Sequence, residues 1–434
     1  MPTSGCRPLP LRRLGCACLF GGLASATLAA QQAKPVEVRD AGTLTLSALT
    51  AADENGSTNE TEDVRDPQYR GRRVYSALSA AVEVAPQHER FNWQVNASTG
   101  VRYYGSLHEV LPSGQSAGGS LSFMLGGRTT IAARETATYS PTYSLVPLLP
   151  VLSSDPGRAL ADLDYGVVRS PNYTNLTNIS ITQALTSRAS VTVGYGINNV
   201  RFTSPDEPDL KGSNAQAILA YRLTKYATFH AGYRRRLGQY DFTTLVPDAV
   251  IEDYDLGVDY NKVLSLKRSR KTTLNFATGS SIYKDFDGRH YMATGSATLD
   301  HRVSRTGHLG LVYSRGVRLL EGLLAPLFTD SLTATAGSSL SSRLRVSSAI
   351  GYVYGTVGNS PGGNSYGSWN GAGQFFVGFT RRSSFHVGYN YYRHDVGSAV
   401  QLLGRLPNHD RRHTLYAGVM FGLPLVHERV RQRS

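Results

Sequence analysis

Apolar and polar residues alternate along most of the chain. The alternation is clearest between residues 91 and 103, where Phe91, Trp93 and Val95 are separated by polar residues and the pattern continues to Tyr103. Successive side chains of a strand point to opposite faces, so this period predicts strands with one apolar and one polar face. Similar segments begin near residues 43, 74, 91, 118, 129, 173, 189, 214, 227, 251, 272, 291, 308, 328, 344, 370, 384 and 413. We therefore predict about 18 strands without a helical segment between them.

The connections between these segments alternate in length. Long connections rich in Gly, Pro, Asp and Asn cover 52–73, 105–117, 140–172, 199–213, 238–250, 316–327, 356–369 and 395–412. Short connections resemble one another and carry Ser or Thr after an apolar residue, at 185–188, 223–226, 303–306, 340–343 and 379–382. Long outer loops and tight inner turns are typical of transmembrane barrels with an even number of strands. The predicted fold is therefore an all-β, closed antiparallel transmembrane β-barrel with long outer loops and short periplasmic turns.

A hairpin repeat supports this fold over a propeller. Several second strands of a hairpin carry Gly-Tyr, at Gly194-Tyr195, Gly232-Tyr233, Gly351-Tyr352 and Gly388-Tyr389. A propeller blade needs four strands and an apolar core, whereas here every strand keeps a polar face. A barrel leaves no unpaired edge in lipid, and with 16 to 18 strands its polar interior is too wide to be filled by side chains alone. A water-filled channel is the expected consequence.

The N-terminal sequence predicts that the protein is exported. Three arginines, Arg7, Arg12 and Arg13, precede a short apolar run, and small residues place a signal-peptide cleavage site near Ala29. The predicted organisation is a signal peptide at 1–29, a periplasmic segment at 30–42, the barrel at 43–423 and a basic tail at 424–434. All three cysteines lie before residue 19, which excludes a disulfide scaffold or a cysteine zinc site in the folded part.

The chain is basic, with 45 Lys and Arg against 32 Asp and Glu and a net charge of +13. Removing the three leader arginines leaves 42 basic and 32 acidic residues, or +10. Strand parity predicts that eight charged side chains line the pore: Arg102, Arg134, Arg222, Arg234, Arg345, Asp255, Asp259 and Asp300. This arginine excess predicts a mild preference for anions. The alternative is that several of these arginines lie at the rims, paired with acids.

The connection at 140–172 spans 33 residues (172 − 140 + 1) and contains an apolar run from Leu145 to Leu152. Exposed apolar clusters need burial, so we expect part of it to fold into the barrel mouth and narrow the pore. A surface docking patch and a disordered loop are the alternatives.

Three strands end with Tyr-x-Arg, and parity turns these arginines outward at the outer rim. We call them the rim arginines: Arg235, Arg315 and Arg393. They suit contact with lipopolysaccharide phosphate through charge-assisted hydrogen bonds, and the alternative is a solvated rim.

The last strand carries a polar residue followed by x-Gly-x-x-hydrophobic-x-hydrophobic, at Tyr416, Gly418, Phe421 and Leu423. This pattern resembles the assembly signal of bacterial outer-membrane β-barrels, over about residues 43–423. The arrangement looks closest to porin-like barrels, including ones encoded beside exopolysaccharide genes. The resemblance implies insertion by the barrel-assembly machinery into the outer membrane of a Gram-negative bacterium, which contains lipopolysaccharide.

The predicted function is a porin-like channel for hydrophilic solutes. An exopolysaccharide export conduit would share the fold and would need periplasmic export components. A basic ring at the inner turns offers a docking surface for them, and it equally suits an anchor to membrane headgroups: Arg188, Lys225, Lys267, Arg268, Arg270, Lys271, Arg305, Arg343, Arg381 and Arg382. A surface enzyme or an adhesive barrel is the third possibility. His230 and His386 face inward but lie on distant strands, and no nucleophile motif accompanies them. We therefore predict no enzyme, no cofactor, no metal and no nucleic-acid partner, and interpret the acidic runs at 60–63 and 206–209 as solvated loops.

Overall fold

The computed structural model describes residues 39–55, 71–86, 90–105, 108–141, 171–204, 209–240, 249–260, 272–285, 288–319, 326–358, 364–380, 382–398 and 408–428. Their regular structure consists of strands. The strands are β1 (Arg39–Asn55), β2 (Gly71–Val84), β3 (Phe91–Tyr104), β4 (Glu109–Pro112), β5 (Gln115–Leu125), β6 (Thr129–Ser140), β7 (Asn172–Ala184), β8 (Ala189–Phe202), β9 (Leu210–Arg222), β10 (Ala227–Tyr240), β11 (Ala249–Tyr260), β12 (Thr272–Asp285), β13 (Gly288–His301), β14 (Gly307–Arg318), β15 (Leu327–Ser339), β16 (Leu344–Val357), β17 (Ser365–Gly378), β18 (Ser383–Val396) and β19 (His409–Glu428).

The strands form one closed sheet. Apart from β4 and β5, which do not pair with each other, each strand pairs antiparallel with its neighbours in sequence. The barrel closes where β1 pairs with β19, from Arg39–Glu428 to Asn55–Arg412. Both β4 and β5 pair with β3, so together they act as one interrupted strand. The structure is therefore a closed antiparallel barrel of 18 strands, which confirms the predicted fold class.

Several predicted boundaries differ from the structure. The first strand begins at Arg39, four residues before the predicted barrel start at 43. The connection expected at 105–117 is shorter, because β4 and β5 continue the ladder across a bulge where the Ser113 N–H donates to the Gly100 carbonyl at 3.0 Å. Bulges break the alternation that signals a strand while preserving the pairing. At the other end, β19 continues to Glu428, five residues beyond the predicted barrel end at 423. Pairing of β19 with β18 stops at Phe421, so Pro424 lies on an edge where its missing N–H breaks no ladder bond.

The two faces of the sheet have inverted polarity. On β18, Tyr389 and Arg393 are exposed on the exterior face, while the residues that follow them, Asn390 and His394, are buried on the interior face. Large exposed apolar side chains occupy the exterior face of neighbouring strands in the same way, as Leu415 and Phe421 do on β19. An apolar exterior around a polar interior is what a barrel surrounded by lipid requires.

The Gly-Tyr repeat has a structural cause. The glycine of each pair lies on the interior face, where a larger side chain of the following strand covers it: Gln216 over Gly194, Asp255 over Gly232, Asn370 over Gly351 and Tyr416 over Gly388. The tyrosine beside each glycine belongs to the opposite, exterior face, and Tyr195, Tyr233 and Tyr389 are exposed there. Glycine therefore provides room for interior side chains without interrupting the strand.

The short turns share one hydrogen-bonding pattern, which explains their sequence similarity. In the first, the backbone N–H groups of Arg188 and Ala189 donate to Thr186 Oγ1 at 3.1 and 2.9 Å. The equivalent acceptors in the other turns are Thr224, Ser304, Ser341 and Thr380. Such hydroxyl acceptors replace a backbone turn bond.

No helix among the described residues is long and apolar enough to cross a membrane.

Candidate functional site: the barrel interior

The ladder between β13 and β14 is incomplete. These strands pair from His301–Leu309 to Gly295–Arg315, and the pairing stops there although β13 extends back to Gly288. In contrast, β14 stays paired with β15 as far as Arg318–Leu327. The outer ends of β14 and β15 therefore remain paired with each other but are separated from β13.

This hairpin end lies inside the barrel. Val317 and Phe328 belong by parity to the exterior face of their strands, yet each is only 4% exposed. They form a cluster with Ile251 of β11 and Tyr283 of β12, whose side chains belong to the interior face. The Tyr283 and Phe328 rings pack edge to face, with centroids 5.9 Å apart. The outer ends of β14 and β15 thus cover the inner side of β11 and β12 and narrow the interior.

Arg236 of β10 holds this inward position. Its guanidinium Nη1 donates to the Val317 carbonyl oxygen of β14 at 2.7 Å, although three strands of the wall lie between β10 and β14. Its Nε and Nη2 form a bidentate pair with Asp253 Oδ2 and Oδ1 at 2.9 and 3.0 Å, and the Ser281 hydroxyl also donates to Asp253. Bidentate pairing fixes the guanidinium in one orientation. We call this group, Arg236, Asp253 and Ser281 with the Val317 carbonyl, the hairpin clamp.

Two further arginines lie close to the hairpin clamp. Arg234 lies one interior position from Arg236 and donates from Nε to Gln216 Oε1 at 3.2 Å. Arg318, on the inward hairpin, is close enough to Arg236 to interact with it electrostatically. The narrowed interior thus presents three guanidinium groups, of which the Arg236 charge is neutralised directly by Asp253.

All eight predicted pore-lining residues lie on strand faces turned to the interior. Arg234, Asp255 and Asp259 come together on β10 and β11, where His230 is 3.4 Å from Asp255 and 3.5 Å from Asp259. The other five residues are spread over the wall: Arg102 on β3, Arg134 on β6, Arg222 on β9, Asp300 on β13 and Arg345 on β16. The set therefore does not form a single cluster.

Three of these arginines have distinct surroundings. Arg102 is buried, with its guanidinium carbon 5.9 Å from the centre of the Tyr75 ring. Arg222 lies at the inner end of β9 and donates to the Ser187 backbone carbonyl at 2.6 Å. Arg134 is exposed in the interior and forms no ion pair with the described residues.

Sequence reasoning missed Arg236, Asp253 and Arg318. The alternation of strand faces places Arg236 on the interior face with Arg234, and Asp253 on the interior face with Asp255, so both could have been predicted to face the interior. The inward position of Val317 and Phe328 could not have been predicted in this way, because the alternation assigns both to the exterior face.

The interior of β17 to β19 has a different chemistry. Four buried aromatic side chains lie there: Tyr366, Phe376, Tyr392 and Tyr416. His386 stacks on Phe376 with centroids 5.8 Å apart and also contacts Tyr416 at 5.9 Å. The two sequence-noted histidines are therefore far apart and in unlike surroundings, and no group that could hold a metal ion occurs within the described ranges.

A buried ion pair joins the first and last strands. Arg412 of β19 donates from Nε to Asp53 Oδ1 and Oδ2 at 2.8 and 2.9 Å, and its Nη2 also contacts Asp53. Thr414 Oγ1 donates to the same carboxylate at 3.1 Å. This group, the seam pair, lies on the interior face where the barrel closes.

The rim arginines lie on the exterior face as parity predicts, and two of them have carboxylate neighbours. Arg393 Nε is 2.8 Å from Asp395 Oδ2, and Arg315 Nη1 is 3.9 Å from Asp330 Oδ1. Tyr313 donates to Asp330 at 2.6 Å, and Tyr233 donates to Glu252 at 3.3 Å. The outer rim is thus a belt of tyrosines, arginines and acids, and lipopolysaccharide contact stays a prediction.

The assembly-signal residues all lie on β19. Tyr416 and Gly418 face the interior, where the Tyr416 ring covers Gly388, whereas Phe421 and Leu423 are exposed outside. Their role in assembly stays a prediction. Several predicted features lie outside the described residues: the signal peptide, the acidic run at 60–63, the apolar run at 145–152, residues 206–208 and 267–271, and Arg381. The last residue of the second acidic run, Asp209, is described, and its carboxylate accepts a hydrogen bond from the Phe202 N–H at 3.0 Å. The described members of the basic ring lie at or beside the short turns.

The barrel is similar to solved structures of porin-like proteins. The crystal structure of Pseudomonas aeruginosa OccK11 (OpdR) matches with 12% identity and a TM-score of 0.44, over 88% of this chain and 96% of that one. Pseudomonas aeruginosa OpdQ matches with 10% identity and a TM-score of 0.46, over 89% and 99%. Pseudomonas aeruginosa OccK2 (OpdF), solved in complex with glucuronate, matches with 11% identity and a TM-score of 0.45, over 88% and 98%.

With identities of 10 to 12%, these matches show a likeness of fold. No protein-family model matches the chain. No curated protein matches it either. The assignment of the fold rests on the strand pairing described above.

Proposed function

We propose that the protein is an outer-membrane channel for hydrophilic solutes with a preference for anions. The observation that carries the proposal is the narrowed interior, where Arg234 and Arg236 lie on the inner face of β10 and Arg318 lies on the hairpin that Arg236 holds. Fixed charge at the narrowest part of a pore acts on every permeating ion, because the surrounding protein focuses the field there.

The apolar exterior supports the location. Exposed residues such as Leu415, Ile350 and Val193 suit hydrocarbon, and the exposed apolar side chains that begin the short turns suit its inner boundary: Leu185, Leu223, Val303, Leu340 and Phe379. A closed barrel satisfies its ladder hydrogen bonds internally, which is the condition for crossing a bilayer with strands.

The test is the reversal potential of the purified protein in a planar bilayer with a KCl gradient. We expect the wild type to conduct and to favour chloride, because the narrowing carries more cationic than anionic groups. Arg234→Gln removes an interior charge and is expected to shift the reversal potential towards cation preference. Arg235→Gln is the matched control, since the neighbouring side chain lies on the exterior face and is expected to leave selectivity unchanged.

Three outcomes contradict the proposal in different ways. Cation preference in the wild type would refute the charge argument. Equal shifts for Arg234→Gln and Arg235→Gln would show that the effect does not arise in the pore. Conductance that stays closed until a periplasmic partner is added would instead favour the export conduit.

A further inference from the structure

We propose that the inner mouth of the barrel binds anions that carry several charges, such as a short chain of phosphate groups. The inference rests on the proposed channel function and names the class of solute that the channel holds at its inner end. It starts from five arginines that take the same position in five of the inner connections. We call them the mouth arginines: Arg90, Arg128, Arg188, Arg343 and Arg382.

One backbone hydrogen bond fixes the position of each mouth arginine. The Arg188 carbonyl accepts from the Arg222 N–H at 2.7 Å, which extends the β8–β9 ladder by one residue beyond the Ala189–Tyr221 pair. The carbonyls of Arg90, Arg128, Arg343 and Arg382 accept in the same way at 2.7 to 2.8 Å, from the N–H groups of Met124, Ala184, Gly378 and Gly422 respectively. The main chain of each mouth arginine therefore belongs to the base of the wall.

The alternation of strand faces turns the mouth arginines to the interior. Arg343 lies two residues before Arg345, and Arg128 lies six residues before Arg134, both of which are on the interior face. The other three follow the same alternation, as Arg188 does opposite the interior residue Arg222. All five side chains are exposed. They therefore line the inner opening of the channel and do not face the lipid.

Like charges lie side by side at this mouth. Arg188 is directly opposite Arg222, and Arg343 shares a face with Arg345 two residues away. Like charges in such neighbouring positions of a sheet repel each other, and an anion between them removes the repulsion. None of the five guanidinium groups forms an ion pair or a hydrogen bond with another residue that the structure describes. Their charges are thus available to a bound anion.

The wall above the mouth arginines adds positive charge without negative charge. On the described residues of β6 to β9 and of β16 to β18, the interior face carries Arg134, Arg222 and Arg345 and has no Asp or Glu. A cleft lined by charges of one sign raises the local concentration of the opposite ion. Both sides of the inner mouth therefore attract anions.

The spacing of the mouth arginines favours anions with several charges. Arg343 and Arg382 lie at the inner ends of β16 and β18, which only β17 separates, and Arg128 and Arg188 have the same relation across β7. Two strand spacings are about 10 Å. A linear anion can span this distance and accept charge-assisted hydrogen bonds from two guanidinium groups at once. The second contact is then intramolecular, which raises the affinity above that of an anion with a single phosphate.

Titration calorimetry on the purified barrel in detergent, with tripolyphosphate and orthophosphate as probes, tests the site without requiring conduction. The test variant is Arg343→Gln with Arg382→Gln. Its charge-matched control is Lys225→Gln with Arg305→Gln, because these two residues lie at the tips of their inner turns, one residue before the position that the mouth arginines take. Both variants lose two positive charges from the inner end of the barrel.

We expect the wild type to bind tripolyphosphate at least about tenfold more tightly than orthophosphate. The test variant should lose about fivefold in affinity for tripolyphosphate, and the control should lose less than about twofold. Equal affinities for the two probes in the wild type would overturn the proposal. Equal losses in the two variants would overturn it as well, because the binding would then depend on the overall charge of the inner end and not on the mouth.

A planar bilayer tests where the bound anion lies. Tripolyphosphate added to one side at a time should block the current of the wild type from one side at a concentration about tenfold lower than from the other, because the mouth arginines lie at one end of the pore. Equal block from both sides would refute a site at the mouth. A wild type that never conducts would refute the channel function, whereas the calorimetric comparison would still decide whether the mouth arginines bind polyvalent anions.

Discussion

The contribution of the seam pair to the free energy of unfolding can be predicted from its burial and its hydrogen bonds. Arg412→Met removes the guanidinium but keeps a side chain of similar length, so Asp53 is left buried with the hydrogen bond from the Thr414 hydroxyl. Removing one member of a buried ion pair costs about 3–5 kcal/mol, because the remaining charge is not solvated. The retained Thr414 hydrogen bond offsets roughly 1 kcal/mol of this. We therefore expect the free energy of unfolding to fall by about 3 kcal/mol.

Urea unfolding of the folded protein in detergent micelles measures this change. With a slope of about 2 kcal/mol per molar, the midpoint should fall by roughly 1.5 M. Arg411→Met is the matched control, because Arg411 is the next residue on the exterior face and is exposed, so its midpoint should change little. The double variant Asp53→Asn, Arg412→Met should recover most of the loss, since no buried charge remains.

The reasoning is refuted if Arg412→Met and Arg411→Met shift the midpoint equally. It is also refuted if the double variant is no more stable than Arg412→Met, because the loss would then come from packing and not from an uncompensated carboxylate.

Three further predictions concern the wall, the mouth and the rim. Gly388→Ala should lower the free energy of unfolding by about 1–3 kcal/mol, because the new Cβ meets the Tyr416 ring, whereas Gly373→Ala, which meets nothing within 4 Å, should be neutral in the same urea titration. Deleting residues 143–155 should raise single-channel conductance, and an unchanged conductance would reject a constricting role for that connection. Replacing all three rim arginines by alanine should reduce the lipopolysaccharide that copurifies with the protein, as quantified by mass spectrometry, and an undiminished amount would show that the belt of acids and arginines is only solvated.

The sequence by itself determined the barrel fold and the face of the strand, interior or exterior, that most side chains occupy. Period-two alternation marks a strand whenever its two faces meet different environments, and in a membrane barrel every strand does. The repeated apolar–Ser/Thr turns and the Gly-Tyr pairs are local as well, since each depends on hydrogen bonds or packing between adjacent strands. For the same reason, parity correctly placed Arg234 inside and Arg235 outside.

Only the tertiary structure decided where the wall is interrupted. Val317 and Phe328 follow the exterior pattern of their strands, yet they pack inside against Ile251 and Tyr283, which are distant in sequence. Alternation records whether a side chain needs an apolar environment, and it cannot distinguish lipid from an apolar cluster within the barrel. The partner of Asp53 was hidden for a similar reason, because a closure contact between the first and last strands leaves no local pattern in either one.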